Sequence, residues 1–284
     1  MKKSDAAIQW CRQAFSRLWE MLPQKSVKAS DEPIDVVIPI ISKDLAILPL
    51  CLQGVRKNIC HPIKAIYIVA PNDQEIVDFC KKEQLIFVEE STIFHFPPKH
   101  LGLVVTRPDG RVVDRSGWLF QQLVKLSGAV GTCEYFLCID ADHILISPHV
   151  FLDKQGTPIF YMSEECHTAY YKNIRKLMGK PYHSLLSYID HKMLFSKKEL
   201  DKLRKEIEKA NHQQEWKEAI VSSYDRTDTS GFSEFELYGS FVSKKRQLPW
   251  RQKKLAYKDM ADFDTLTQKY SRKYLSITFP CYLK

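Results

Sequence analysis

Residues Tyr135-Phe136-Leu137-Cys138-Ile139-Asp140-Ala141-Asp142-His143-Ile144-Leu145 constrain this chain more than any other stretch. A short aromatic and aliphatic run follows Gly131 and ends in two carboxylates one residue apart, so it predicts a buried strand rather than a helix. A strand buried on both faces belongs in the middle of a largely parallel sheet. Acids at its C-terminal end then lie at the carboxyl edge, where open α/β sheets gather their ligands. Asp140 and Asp142 repel each other unless a cation or a shared proton intervenes. A divalent metal is the simplest such cation; the bland alternative is a solvated turn.

The flanking sequence fits that frame. Ile34–Ile40, Lys64–Ala70 and Leu85–Val88 read as strands, and residues 44–58, 74–83 and 118–126 as helices. Strands alternating with helices indicate βαβ units and a parallel sheet. Prolines, glycine and charges make residues 91–116 a loop region, and so long an irregular stretch is usually functional or disordered. Beyond the acidic pair the alternation weakens. Residues 159–162 read as a short strand and 169–178 as a helix, while the Lys- and Glu-rich 197–221 forms one long helix or two shorter ones. The C-terminal 40 residues are basic and aromatic, and either cover one edge of a site or wrap the domain.

At the N-terminus, Ile8, Cys11, Phe15, Leu18, Trp19 and Leu22 recur at helical spacing over residues 5–22, interleaved with Arg12 and Arg17. Such a helix either docks on its own domain or a partner, or lies on an anionic membrane surface. Residues 23–33 read as a linker. The expected organisation is thus 1–33 as helix and linker, 34–146 as the ligand-binding half of one α/β domain, and 147–284 as its other half.

Composition excludes several classes. With 284 residues and 44% hydrophobic content, the chain has ample core and is not disordered. Its 42 Lys and Arg against 34 Asp and Glu give +8, which favours anionic partners. The excess is not gathered in one block, so no nucleic acid is expected. The eight cysteines form no Cys-x-x-Cys pair and several sit in apolar runs, as in a reducing compartment. No secretory signal or bilayer-long apolar run is evident, and a cytoplasmic protein is expected.

With these features in place, the chain resembles the GT-A fold of nucleotide-sugar-dependent glycosyltransferases. The resemblance rests on the first strand ending Val37-Ile38-Pro39, the βα units behind it, and Asp140-Ala141-Asp142 as an Asp-x-Asp motif. Ser230-Gly231-Phe232-Ser233-Glu234-Phe235-Glu236-Leu237-Tyr238-Gly239 is similar to a segment in a sparsely characterised bacterial branch of that superfamily. A Gly-Trp-x-x-Gln-Gln-x-x-Lys helix is matched by Gly117, Trp118, Gln121, Gln122 and Lys125. A His-Met-Leu-Phe-like segment is matched by His191, Met193, Leu194 and Phe195, with Lys192 inserted. The resemblance spans residues 34 to 245.

It implies an α/β, GT-A-like (Rossmann-like) fold, with a central mostly parallel sheet flanked by helices and a more helical C-terminal acceptor part. It also implies Mn²⁺ or Mg²⁺ bound through Asp142, with Asp140 on ribose or a metal-bound water and His191 as candidate third ligand. A hard cation held by carboxylates suits the charge that grows on a leaving nucleoside diphosphate. Lys125 and Arg115 are the candidate cations for the diphosphate, and Gln121 shares a helix face with Lys125. Pro39, Ser42 and Asp44 would line the nucleoside pocket. Ser233 and Glu236 have capping-box spacing, which in an inverting enzyme leaves Glu234 as the candidate base for the acceptor hydroxyl and Glu236 as a second candidate acid; in a retaining one these acids would instead position sugar hydroxyls. The implied partners are a nucleotide-sugar, UDP-sugar favoured, and a glycan or glycolipid acceptor in surface polysaccharide or lipopolysaccharide assembly, with peripheral contact to an anionic membrane.

Three rivals stand beside this reading. A haloacid-dehalogenase-type phosphatase would place Thr or Val where Ile144 stands and would open its domain with the motif. A sugar-phosphate nucleotidyltransferase would show a Gly-rich loop after the first strand. A non-catalytic GT-A-like scaffold would bind glycan or partner without turnover.

Overall fold

The structure is a computed structural model and describes residues 3–22, 26–107, 109–181, 184–242 and 248–280. The elements in order are α1 (Lys3–Met21), β1 (Ile34–Pro39), α2 (Leu48–Asn58), β2 (Ile63–Ala70), α3 (Gln74–Lys82), β3 (Ile86–Glu89), α4 (Glu90–Phe94), β4 (Val104–Thr106), β5 (Val112–Asp114) and α5 (Ser116–Ser127). There follow β6 (Tyr135–Ile139), β7 (His143–Leu145), β8 (Ile159–Met162), α6 (Thr168–Met178), β9 (Lys192–Ser196), α7 (Lys197–Ala210), α8 (Trp216–Ser223) and α9 (Glu234–Phe241). The C-terminal part adds β10 (Leu248–Arg251), β11 (Lys254–Ala256), α10 (Phe263–Tyr270) and β12 (Ser276–Thr278).

The main sheet has the order β3-β2-β1-β6-β9, parallel except for β9, which runs antiparallel to β6. The expected α/β class with a mostly parallel, helix-flanked sheet is therefore what the chain forms. Every residue of β1 is buried, and its side chains alternate between two cores. Val37 joins Phe136, Cys138, Leu123 and Tyr238 on one face. Val36 and Ile38 join Leu52, Val55, Leu137 and Ile144 on the other. Helices α5 to α9 cover the first face; α2, α3 and α10 cover the second. Two glycines permit close approach. A Cβ on Gly54 would stand 2.8 Å from the Leu145 carbonyl oxygen, so α2 crosses directly over β7. At Gly131 (φ +83°) a Cβ would meet the Asp35 carboxylate, whose Oδ2 accepts from the Thr132 and Cys133 amides and anchors the approach to β6.

Two local expectations change, one open alternative is decided, and the two halves meet in one sheet. The strand before Asp140 ends at Ile139; after the acids, β7 leaves for a second sheet, where Ile144 pairs with Ile277 of β12. Residues 91–116 are structured: α4, a 3-10 turn at Pro98–Leu101 and the β4–β5 hairpin. Aromatic packing orders this region, with Phe94 edge-on to Phe120 and Trp216, and the Ser116 hydroxyl accepts from the Leu103 amide. The 197–221 segment is two helices, broken where His212 and Gln213 take positive φ. Of the expected halves, 147–284 supplies β9 to the sheet that the strands of 34–146 begin.

Helix α1 docks on the body. Arg12 is buried, donates to the Glu165 and Ser184 carbonyls, and lies over Tyr171. Trp10, Leu18 and Met21 of the helix, and Leu22 just after it, are exposed. Among the described residues no helix is long and apolar enough to cross a membrane. Cys51, Cys80, Cys133 and Cys138 are buried; Cys281 lies outside the described residues.

Candidate functional site

The turn carrying the two aspartates is fastened from three directions. The Asp140 amide donates to the His191 carbonyl, the His143 amide to the Asp140 carbonyl, and the Phe279 amide to the Asp142 carbonyl. One strand end, its antiparallel neighbour and the C-terminal segment thus fix one short turn at the carboxyl edge of the sheet. The backbone has little freedom, so both carboxylates project from a preset frame.

Here Asp140, Asp142 and His191 converge, with one ligating atom from each lying within 4.8 Å of the others. The His191 Nδ1 is 3.2 Å from Asp140 Oδ2 and 3.9 Å from Asp142 Oδ1. Behind it the His143 ring stacks at 5.4 Å and sets the imidazole plane. Two carboxylate oxygens and one imidazole nitrogen form a donor set that suits Mn²⁺ better than Mg²⁺, which prefers oxygen alone. Burial and the charge of Asp140 push the Asp142 carboxyl up. Burial also works to raise Asp140, but Lys125 and His191 hold it well below the usual carboxylate range. The residues therefore fit a divalent cation, which would relieve the repulsion that Asp142 retains.

Lys125 is neither a surface lysine nor an open cation. It is buried, its Nζ lying 3.0 Å from Asp140 Oδ1 and 2.9 Å from Glu234 Oε1. Burial pulls its ammonium down, yet the two acids win and raise it above the ordinary lysine value. Ser233 caps α9 by accepting from the Glu236 amide, and the Glu234 amide donates to the Gln122 side chain. Glu234 therefore enters the site from the first turn of α9 as the third member of an Asp140–Lys125–Glu234 chain.

A cleft of about 610 Å³ opens over this chain, lined among others by Pro39, Ile41, Asp44, Gln121, Lys125, Asp140, Asp142, His191 and Glu234. Ser42 is not in its lining; the hydroxyl is exposed and donates to Asp73. Glu236 is not in it either. Its carboxylate turns into the core and accepts from the Ser187 hydroxyl at 2.6 Å and the Tyr188 amide at 3.0 Å. Burial pushes it up, with Ser187, Tyr171 and Arg12 opposing. The capping-box spacing is thus half used, since Ser233 caps while Glu236 ties α9 to Ser187 and Tyr188. Arg115 lines the cleft at its far end, where its guanidinium lies 4.1 Å over the Trp118 ring. Trp118 is half-buried, packing against the first core while also forming cleft wall.

Sequence reasoning passed over Asp190, Glu165, His167 and Tyr170, which also line the cleft. Asp190 had a local signal, an acid immediately before His191 at the start of an apolar strand. The other three come in with the start of α6, and no spacing rule joins them to Asp140.

The chain matches, over residues 31–274, the pattern that defines a protein family of unknown function, DUF6492. It belongs to that family. No curated protein matches the sequence of this DUF6492 chain. Among solved structures it is similar to mouse xyloside xylosyltransferase 1 in its apo form, at 8% identity and a TM-score of 0.49, covering 89% of this chain and 99% of that one. It is also similar to the apo form of the glycosyltransferase GlyE of Streptococcus pneumoniae, at 12% identity and a TM-score of 0.37, covering 87% of this chain and 54% of that one. At such identities and scores neither likeness says what this family member acts on.

Proposed function

We propose that this protein is a metal-dependent glycosyltransferase of GT-A type, moving a sugar from a nucleotide-sugar to an acceptor hydroxyl. The observation that carries the reading is the Asp140–Asp142–His191 trio at the carboxyl edge of a parallel sheet, opening into a cleft that also holds Glu234. Function is argued from this site rather than from the fold. Asp142, His191 and the free side of Asp140 would hold Mn²⁺ or Mg²⁺. A bound cation would supply charge stabilisation for the departing diphosphate.

The chain's own groups do the rest. Pro39, Ile41 and Asp44 form the wall beside the end of β1 and take the nucleoside, with UDP the favoured form. Lys125 fixes Asp140 and Glu234 relative to each other, so donor side and acceptor side share one buried ammonium. Glu234 receives the proton of the acceptor hydroxyl as the new glycosidic bond forms. The acceptor is a glycan or glycolipid, as in surface polysaccharide or lipopolysaccharide assembly. The exposed apolar side of α1, with Trp10, Leu18, Met21 and Leu22, supports peripheral contact with an anionic membrane face. A cytoplasmic location at the inner membrane face goes with this reading.

A thermal-shift panel of UDP, GDP and CMP, each with and without Mn²⁺, tests the assignment. One nucleotide with metal should raise Tm by on the order of 5 °C at saturation, and Asp142→Ala should abolish the rise. No shift with any of the three would contradict the assignment and favour the scaffold or phosphatase alternatives.

A further inference from the structure

The two ends of the cleft differ in charge. At the trio, Asp44, Asp140, Asp142, Glu234 and Asp190 crowd together, and the buried cations there are already matched: Lys125 by Asp140 and Glu234, Lys192 by Asp190. The other end is built around Arg115. Its guanidinium lies 4.1 Å over the Trp118 ring, and among the described residues no ion pair within 4.0 Å engages it. The Nε is buried with no hydrogen-bond partner. It stands beside the Tyr224 hydroxyl, which accepts from the Gly231 amide and thereby shapes the loop leading to Ser233. Trp118 meets the same Tyr224 ring edge-on at 6.3 Å.

Distance separates this end from the diphosphate position. Arg115, Trp118, Gln122 and Lys125 follow one another at helical spacing along the cleft-facing side of α5. Seven residues of helix place Trp118 about 10 Å from Lys125, and Lys125 touches Asp140. The nucleoside wall of Ile41 and Asp44 comes from the β1 end, whereas Trp118 packs on Tyr224 in the segment between α8 and α9. A cation held on an aromatic face, unmatched by any acid and lining a polar cleft, is built to receive an anion. The guanidinium donors not turned toward Tyr224 can hold an anion by parallel hydrogen bonds, and the Trp118 ring in the cleft wall suits the apolar side of a sugar.

We propose that the acceptor sugar carries an anionic group, carboxylate or phosphate, and that Arg115 with Trp118 forms the subsite that reads it. This rests on the glycosyl-transfer reading above, but binding at the subsite is measurable without turnover. The full chain is titrated with glucuronic acid, glucose 6-phosphate and glucose, with and without Mn²⁺ and UDP, following the tryptophan indole NMR signals. Trp118→Phe assigns the Trp118 signal.

At least one charged sugar should bind about tenfold or more tighter than glucose and move the Trp118 signal. The carboxylate and phosphate arms then tell which anion is read. Arg115→Gln should bring the charged sugars down to the level of glucose while metal-dependent nucleotide binding persists. Arg115→Lys, which keeps charge but loses the planar fork, should recover part of the preference. Equal binding of charged and neutral sugars, or no binding of any of them, overturns the proposal. Loss of nucleotide binding in Arg115→Gln also overturns it, because Arg115 would then belong to the diphosphate site. Failure of the wild type to bind UDP, GDP or CMP counts against the transfer reading alone, since the sugars are titrated without nucleotide as well.

Discussion

Two buried lysines flank the Asp140–Asp142–His191 trio, and they are held in opposite ways. Lys125, on the cleft side, sits between two carboxylates that raise its ammonium above the ordinary value. Lys192, on the core side, has a single acid, Asp190 at 2.7 Å. Its Nζ also faces the His143 Nε2 at 3.2 Å and the Tyr161 ring. Burial therefore prevails and lowers it, with Asp190 opposing. The cleft-side lysine belongs to an acid-rich group that has room for a second cation. The core-side lysine belongs to a closed pair whose removal leaves a charge with no water and no substitute. One should be replaceable in part by a metal ion, the other not at all.

The largest effect should come from breaking the closed pair. Asp190→Ala leaves Lys192 buried without a counter-charge and is expected to cost about 3–5 kcal/mol in chemical denaturation. Asp190→Leu combined with Lys192→Met should be more stable than either single variant, because no lone charge remains. Next comes Lys125→Met, which leaves Asp140 and Glu234 without their shared cation and should cost about 2–3 kcal/mol. Mn²⁺ should raise Tm more in this variant than in the wild type. An equal or smaller rise would erase the distinction between the two lysines.

Glu234→Gln keeps the shape and a contact to Lys125 but removes the basic oxygen. Stability should change by less than about 1 kcal/mol, because shape and packing are kept. The transfer rate with the nucleotide-sugar named by the panel should fall about 100-fold or more. An unchanged rate would assign the proton to another group.

The smallest expected effect is a pH dependence on the core side. Burial, then the charge of Lys192, lowers the His149 imidazole well below its ordinary value. His61 is lowered by burial, with its contact to the Ser30 carbonyl opposing; its Nε2 accepts from the Phe151 and Leu152 amides, a role only the neutral ring can fill. Both groups titrate lower in the folded chain than in the unfolded one, so the unfolded chain takes up protons first. Their stability contribution is complete above the ordinary histidine value and is lost as pH falls below it. Denaturation at pH 7 and pH 6 should differ by about 1 kcal/mol. His149→Phe, which keeps an aromatic ring against Phe151, should reduce that difference.

What could be read from the sequence follows how local each feature is. The strands β1, β2 and β6 announce themselves as apolar runs, and the acidic pair marks its own position at a strand end. The face of α5 from Trp118 to Lys125 is a matter of helical spacing. Partner choice was not legible. Lys125 has the same local sequence whether it reaches solvent or bridges Asp140 and Glu234, 15 and 109 residues away. Glu236 has capping spacing, but Ser187, 49 residues distant, takes its carboxylate. Ile144 and Leu145 continue the apolar run after the acids, yet they pair with the C-terminal β12 and leave the main sheet. Residues 91–116 hold prolines and charges, and the packing against Phe120 and Trp216 that helps to order them comes from distant segments.

The central claim is that Asp140, Asp142 and His191 hold a divalent cation that in turn holds a nucleoside diphosphate. Calorimetric titration of Mn²⁺ into the wild type and Asp142→Ala, followed by UDP, GDP and CDP, tests it most directly. The wild-type chain should bind one Mn²⁺ and one diphosphate that binds only once Mn²⁺ is present, and Asp142→Ala should lose both. Failure of the wild type to bind Mn²⁺, or a diphosphate bound equally well without metal and in the variant, would contradict it.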